Sequence, residues 1–368
     1  MLVNITDEFL KLISIDSPSK NERDLAIYLK SKLKDLGAEV YEDNSAGKTG
    51  SNTGNIIGFI SGNQNLNTIL LAAHMDTIVS TDGMVPQIKN GIIYSDGNTI
   101  LGADDKAGIA VIIGVLSKLQ KDKTIQHGPI EVFFTVQEEV GLIGVKNLEY
   151  EIKAQYGYVL DGDGPVGTIV NAAPSHVTLD LIVEGKAAHA GVAPEKGINA
   201  IVVASKAIAN LDSGRLDEET TSNFGIISGG KGRNIVADKV EIKAEVRSRN
   251  RNKLEKEVSK IIEEFTKTAA NHHAKFTYHR ELAYEAFTID QEHPVITGAF
   301  EAGKTLGIEV KLKTTGGGLD ANILNSRGVP CVALGLGNDN PHTNDEYVSI
   351  NEMQKAVEFL FKILTNKP

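Results

Sequence analysis

The sequence predicts an α/β protein: a mixed sheet flanked by helices and interrupted by a small inserted domain. Short apolar runs rich in β-formers recur between helical stretches that are amphipathic or apolar on nearly every side. Several of those runs stop at an acidic or imidazole side chain, as strand ends do where an open α/β sheet lines a ligand crevice. From about Pro174 the predicted order becomes βαββαβ, the split unit of a ferredoxin-like sandwich, before the first pattern resumes. The implied division is 1–173 with 287–368 as one domain and 174–286 as the insert.

Composition sets the bounds. With 368 residues, 41% hydrophobic and 23% charged, the chain has length for about two domains and a sizeable core. The formal charge of -10 argues against a nucleic-acid-binding face, and no run of Lys and Arg contradicts it. Cys331 is the only cysteine, so neither an intrachain disulfide nor a thiolate metal cluster is expected. The N-terminus shows no basic stretch followed by an apolar core, and apolar runs such as 109–116 are too short to span a bilayer. A cytoplasmic protein without a membrane partner is the expectation.

In chain order, Ser19 and Glu22 have the spacing of a capping box. The helix after them carries Leu25, Leu29, Leu33 and Leu36 on one stripe and ends at Gly37. Residues 44–53 read as a loop, 55–61 and 68–73 as strands, and 106–119 as a deeply packed helix. Strands are expected at 130–136 and 156–160. In the insert, strands at 176–183, 224–228, 240–246 and 274–282 alternate with helices at 197–211 and 252–269. A helix at 292–307, a glycine turn at 316–320, a buried strand at 330–336 and an amphipathic helix at 351–364 close the chain.

The chemistry gathers at strand ends. His74 and Asp76 stand two residues apart after an apolar run, so both leave the sheet on one side, as suits a metal ligand and its orienting carboxylate. Asp104 and Asp105 sit at a helix N-terminus, where capping alone would explain them. Glu138 and Glu139 follow one buried strand, and Asp161 and Asp163 follow another. Adjacent carboxylates repel one another and lose hydration on burial unless something positive is near.

Taken together, residues 71–77 (Leu-Ala-Ala-His-Met-Asp-Thr), 102–108 (Gly-Ala-Asp-Asp-Lys-Ala-Gly), 137–139 (Gln-Glu-Glu), 160–162 (Leu-Asp-Gly) and Pro341-His342 resemble, in order and spacing, the dinuclear zinc exopeptidases. That family includes peptidase T, carboxypeptidase G, aminoacylase and succinyl-diaminopimelate desuccinylase, and the likeness is nearest to a peptidase T-like branch. The resemblance implies a zinc-exopeptidase-like sheet with a ferredoxin-like lid at 174–286 that also serves dimerisation. It implies two Zn²⁺ per chain, with cobalt or manganese able to fill the same site. His74 and Asp161 would hold the first ion, with Asp163 as the fallback. Glu139 and His342 would hold the second, and Asp104 would bridge both, leaving Asp105 as a neighbour. Glu138 would be the general base and Asp76 the carboxylate behind His74. His189, Asn234, Arg247 and the glycines Gly317 and Gly318 would bind substrate, His189 from its own chain or a partner's. The implied activity is hydrolysis of short peptides by a tripeptidase-like aminopeptidase. An N-acyl-amino-acid deacylase or carboxypeptidase using the same metals, or a metal-binding protein without chemistry, are the alternatives. At 316–320 the sequence departs from peptidase T, with Gly316 and Leu319 in place of an arginine and a threonine.

Overall fold

The computed structural model describes residues 3–366 and divides into two compact units. One unit runs to Ala172 and resumes with Thr288–Thr315 and from Leu319 onward. The other is Ala173–Phe287 with Gly316–Gly318.

The first unit is built on a mixed sheet. Its strands lie in the order Glu39–Glu42, Ile56–Ile60, Ile130–Thr135, Ile69–His74, Tyr156–Gly162, Cys331–Gly335 and Thr168–Ala173, with Lys311–Thr314 beyond. The four strands Ile130–Thr135, Ile69–His74, Tyr156–Gly162 and Cys331–Gly335 run parallel to one another. Their carboxyl ends therefore share one edge. Every residue of Ile69–His74 and Ile130–Thr135 is buried, which is why the first reads as an apolar run up to His74; in the second even Glu131 is buried, its carboxylate accepting from the Tyr150 hydroxyl and the amides of Lys153 and Ala154. The helix Ala103–Lys121 packs on this sheet and buries Ala107 and Ile109 to Leu116. The helices Ile5–Ile13 and Ile350–Thr365 pack against it in turn. At Gly108 the helix lies hard against a strand: a Cβ there would lie 2.2 Å from the Leu160 carbonyl oxygen.

Several expectations need amending. The helix Arg23–Asp35 buries Leu25, Ala26, Leu29 and Leu33, and Gly37 follows it with φ of 85°. Its predicted capping box does not form. The Ser19 hydroxyl donates to Asp76, and the Glu22 carboxylate accepts from the amides of Lys20 and Gln137 and from Ser51. Both side chains have been drawn away by long-range partners. The loop at 44–53 contains a short helix, Ala46–Thr49. A small antiparallel sheet of Gln87–Lys89, Ile92–Tyr94, Tyr347–Ser349 and Asn338–Asp339 gave no signal in sequence, because strands of two or three residues show no period.

The second unit is a five-stranded antiparallel sheet in the order Gly214–Arg215, Thr220–Gly229, Lys239–Ser248, Ser175–Glu184 and Lys275–Tyr284. With the helices Ala200–Ala209 and Arg251–Asn271 this is the ferredoxin-like βαββαβ order. Val177, Leu179, Leu181 and Val183 alternate inward from the strand Ser175–Glu184 onto Leu254, Val258, Ile261 and Phe265.

Candidate metal centre

The edge where the four parallel strands end carries the candidate site. His74 is the last residue of its strand and is 2% exposed. Its Nδ1 lies 2.9 Å from the Asp76 carbonyl oxygen and 3.6 Å from the Asp76 carboxylate, so the main-chain oxygen is the closer hydrogen-bond partner. Its Nε2 lies 3.0 Å from Asp104 Oδ1. Burial by itself would lower the His74 pKa, but the contacts to Asp104 and Asp76 outweigh it and push it well up.

Asp104 stands at the centre. Its second oxygen, Oδ2, is 3.3 Å from His342 Nε2, which also lies 2.9 Å from Glu139 Oε2. Contacts to Asp104 and Glu139 push His342 up to about 10, and the two imidazoles hold Asp104 below the usual carboxylate range against the opposing effect of burial. Ligand atoms of His74, Asp104 and Asp161 all lie within 4.8 Å of one another, and so do those of Asp104, Glu139 and His342. Asp104 thus belongs to two groups of three. Asp163 is in neither. Asp105 turns away, accepting from the amides of His74 and Gly108.

Asp76 is fully buried and serves the neighbouring turn more than the His74 ring. Its carboxylate accepts from the amides of Glu138 (2.9 Å) and Glu139 (3.3 Å) and from the Ser19 hydroxyl (2.6 Å). The Glu138 carboxyl is pushed well up by burial, and further by Asp320, Glu139 and Asp76, with His74 opposing. Asp161 is pushed up by burial and by Asp104 and Asp105. So many buried acids held off their ordinary range describe a place short of positive charge.

Divalent cations fit it. The donor set is two imidazoles and three carboxylates, a set that suits zinc and also admits cobalt or manganese. Two dications against three ligand carboxylates leave about one positive charge, and imidazole nitrogens facing carboxylate oxygens accept such an ion in place of a proton.

Sequence reasoning missed three residues here. Glu346 is buried and accepts from the amides of Gly102 (2.7 Å) and Asp104 (2.9 Å). Asp320 is buried, accepts from the Thr135 hydroxyl at 2.5 Å, leaves Oδ1 without a hydrogen-bond partner and is pushed up to about 6 by burial. Ser19 was read as a cap. For Glu346 and Asp320 the only signal was acidity close to a histidine or a glycine turn, which distinguishes neither from a solvated loop residue.

The predicted substrate residues lie in the second unit. His189 and Asn234 stand side by side: the Ala190 amide donates to the Asn234 carbonyl, and His189 bridges to Ile235. His189 Nδ1 accepts from the Gly191 amide, which leaves Nε2 to carry the proton of the neutral ring. Arg247 gives Nε and Nη2 to Glu245 and keeps a 3.5 Å contact from Nη1 to the Gly316 carbonyl. Glu245, shared with His176, is held down to about 2 by both partners. Gly318 faces the Tyr284 ring, which a Cβ would strike at 2.3 Å.

Residues 70–366 match the sequence profile of peptidase family M20/M25/M40. The chain belongs to this family, and it is a peptide hydrolase. An uncharacterized protein, YqjE, of Bacillus subtilis (strain 168) is 43% identical over 361 residues, 98% of this chain and 97% of that one. Peptidase T of Clostridium botulinum (strain Hall) is 30% identical, covering 98% of both chains. Among family members of known structure, aminopeptidase PepT from Bacillus cereus ATCC 10987 superposes with a TM-score of 0.91 at 42% identity, covering 98% of this chain and 97% of that one. A tripeptidase from Staphylococcus aureus does so with 0.94 at 36% identity, with the same coverage.

Proposed function

We propose that the chain is a two-zinc aminopeptidase of short peptides, tripeptides among them, with Glu138 as general base. The observation that carries this reading is the sharing of Asp104 by two groups of three ligands, His74 with Asp161 and Glu139 with His342. The similarity to an aminopeptidase and a tripeptidase over nearly the whole chain supports the substrate class.

When bound, the two cations would polarise the scissile carbonyl and lower the pKa of water. The chain's own residues do the rest. Glu138 takes a proton from the attacking water on its carboxylate and returns it to the leaving amine. Asp76 holds the Glu138 amide, and so the direction in which that side chain leaves the turn. In the second unit, of its own chain or of a partner's, His189 offers an Nε2–H to the developing oxyanion, while Asn234, Arg247 and the turn at Gly317 and Gly318 bind substrate. A guanidinium fork suits a peptide carboxylate. With glycine at 316, the C-terminal carboxylate has one cationic partner fewer than in peptidase T, which favours tolerance of peptide length. Glu138→Gln should keep two cations per chain, measured by metal analysis, and lose at least about 100-fold in turnover. A variant near wild-type rate would refute the base. Di- and tripeptides with free amino termini should be cleaved and their N-blocked forms spared; the reverse order would favour the deacylase.

We also propose a cytoplasmic homodimer through the second unit. Gly214–Arg215 pairs with Thr221 and Ser222, and beyond Ser222 that edge of Thr220–Gly229 has no strand partner among the described residues, with Ile226 and Ile227 exposed. Ile226→Asp should shift the chain to monomer in analytical ultracentrifugation. An unchanged sedimentation coefficient would remove this interface.

A further inference from the structure

We propose that Glu346 is a positioning residue that fixes Asp104 between the two cation groups, an inference that rests on the two-cation reading above. Asp104 and Asp105 belong to the first turn of the helix Ala103–Lys121, yet their φ/ψ values, -81°/106° and -116°/32°, are not helical. The helix ladder therefore does not dictate where the Asp104 side chain leaves the backbone. Glu346 does so from the far end of the chain. Its two oxygens accept from the amides on either side of Ala103, Oε2 from Gly102 and Oε1 from Asp104.

A carboxylate is a costly way to satisfy two amides. This one is 1% exposed and adds negative charge beside Asp104, where carbonyl oxygens would have served a purely structural purpose. A bidentate carboxylate does set the two amides at a fixed angle, and charge-assisted bonds are the stronger kind. Glu346 also stands four residues after His342. Their segment is pinned outside the site: Asn338–Asp339 and Tyr347–Ser349 bracket it in the small sheet, Ser95 donates to the Asn344 carbonyl, and Asn344 donates to that of Gly97. One short segment thus supplies His342 and holds Asp104, two of the three ligands in the second group. In the first group it reaches only Asp104.

The consequence is unequal. Loss of Glu346 should weaken the second cation more than the first, by the ~10- to 100-fold usual for a group that orients a ligand. The test uses the full chain, stripped with a chelator and titrated with Zn²⁺ against a chromogenic competitor. His342→Ala marks which binding step belongs to the second group. Glu346→Gln is expected to weaken that step about 10- to 100-fold and leave the other within about threefold, with turnover recovering as Zn²⁺ is raised. Glu346→Asp, which keeps the charge but shortens the reach, should fall between, and it carries the test if the glutamine variant does not fold. If wild-type chain binds two ions and both variants bind them equally tightly, or lose both steps equally, the assignment is overturned. If wild-type chain itself binds fewer than two, the two-cation reading falls and takes this assignment with it.

Discussion

Ser19 shows how a side chain that looks local can belong to the site. Its hydroxyl donates to Asp76 Oδ2 at 2.6 Å across 57 residues of sequence, and that carboxylate also holds the amides of Glu138 and Glu139. Its neighbours follow suit: Ser17 donates to the Met75 carbonyl and Glu22 accepts from the Gln137 amide. The segment is a buttress under the two turns that follow His74 and Thr135. Ser19→Ala should lower the unfolding free energy by about 1.5–3 kcal/mol, the usual worth of a hydrogen bond to a charged partner, in a urea titration. A change below about 0.5 kcal/mol would mean that Asp76 does not depend on it.

At the scale of elements, the deciding contact is helix on sheet. Gly108 lets the helix Ala103–Lys121 lie against Tyr156–Gly162, and an added Cβ would also lie 2.4 Å from Asp105 Oδ1. Asp161 is the next residue after Leu160, so this contact sets the distance between the elements that carry Asp104 and Asp161, two of the candidate ligands. Gly108→Ala should cost about 1–3 kcal/mol through overpacking and weaken cation binding with it. Wild-type stability by chemical denaturation, together with wild-type affinity, would show that the helix can slide without consequence. The small sheet matters in the same way. It was invisible to periodicity, yet it carries the loop with His342 and Glu346.

For the whole molecule, the cluster of acids makes stability a function of cations and pH together. In the cation-free chain His342 is raised to about 10 and Asp320 to about 6, while Asp161 and Glu138 are also raised. Each raised group binds its proton more tightly folded than unfolded, so each contributes stability at low pH that is lost as pH rises through its folded value. Asp104, held low, works in the opposite sense. Cations displace those protons, and a ligand at 100 times its Kd adds about 2.7 kcal/mol. Chelation should therefore abolish activity and lower the Tm, with a gap between loaded and stripped protein that widens from about pH 5 to 8. A Tm indifferent to verified metal removal would contradict the reading of this cluster.

The sequence alone determined the class of fold, the βαββαβ insert and the residues that meet at Asp104. The first two follow from periodicity, and the third from a family resemblance carried by five stretches in one order and spacing. Tertiary structure decided which partner each polar group took. Ser19 left its cap for Asp76, Asp105 turned back to the His74 amide, and Glu346 reached Gly102 and Asp104 across more than 240 residues. Hydrogen bonds between groups far apart along a chain leave no period in it, because the residues that make them need only the right length and charge at one end of a loop.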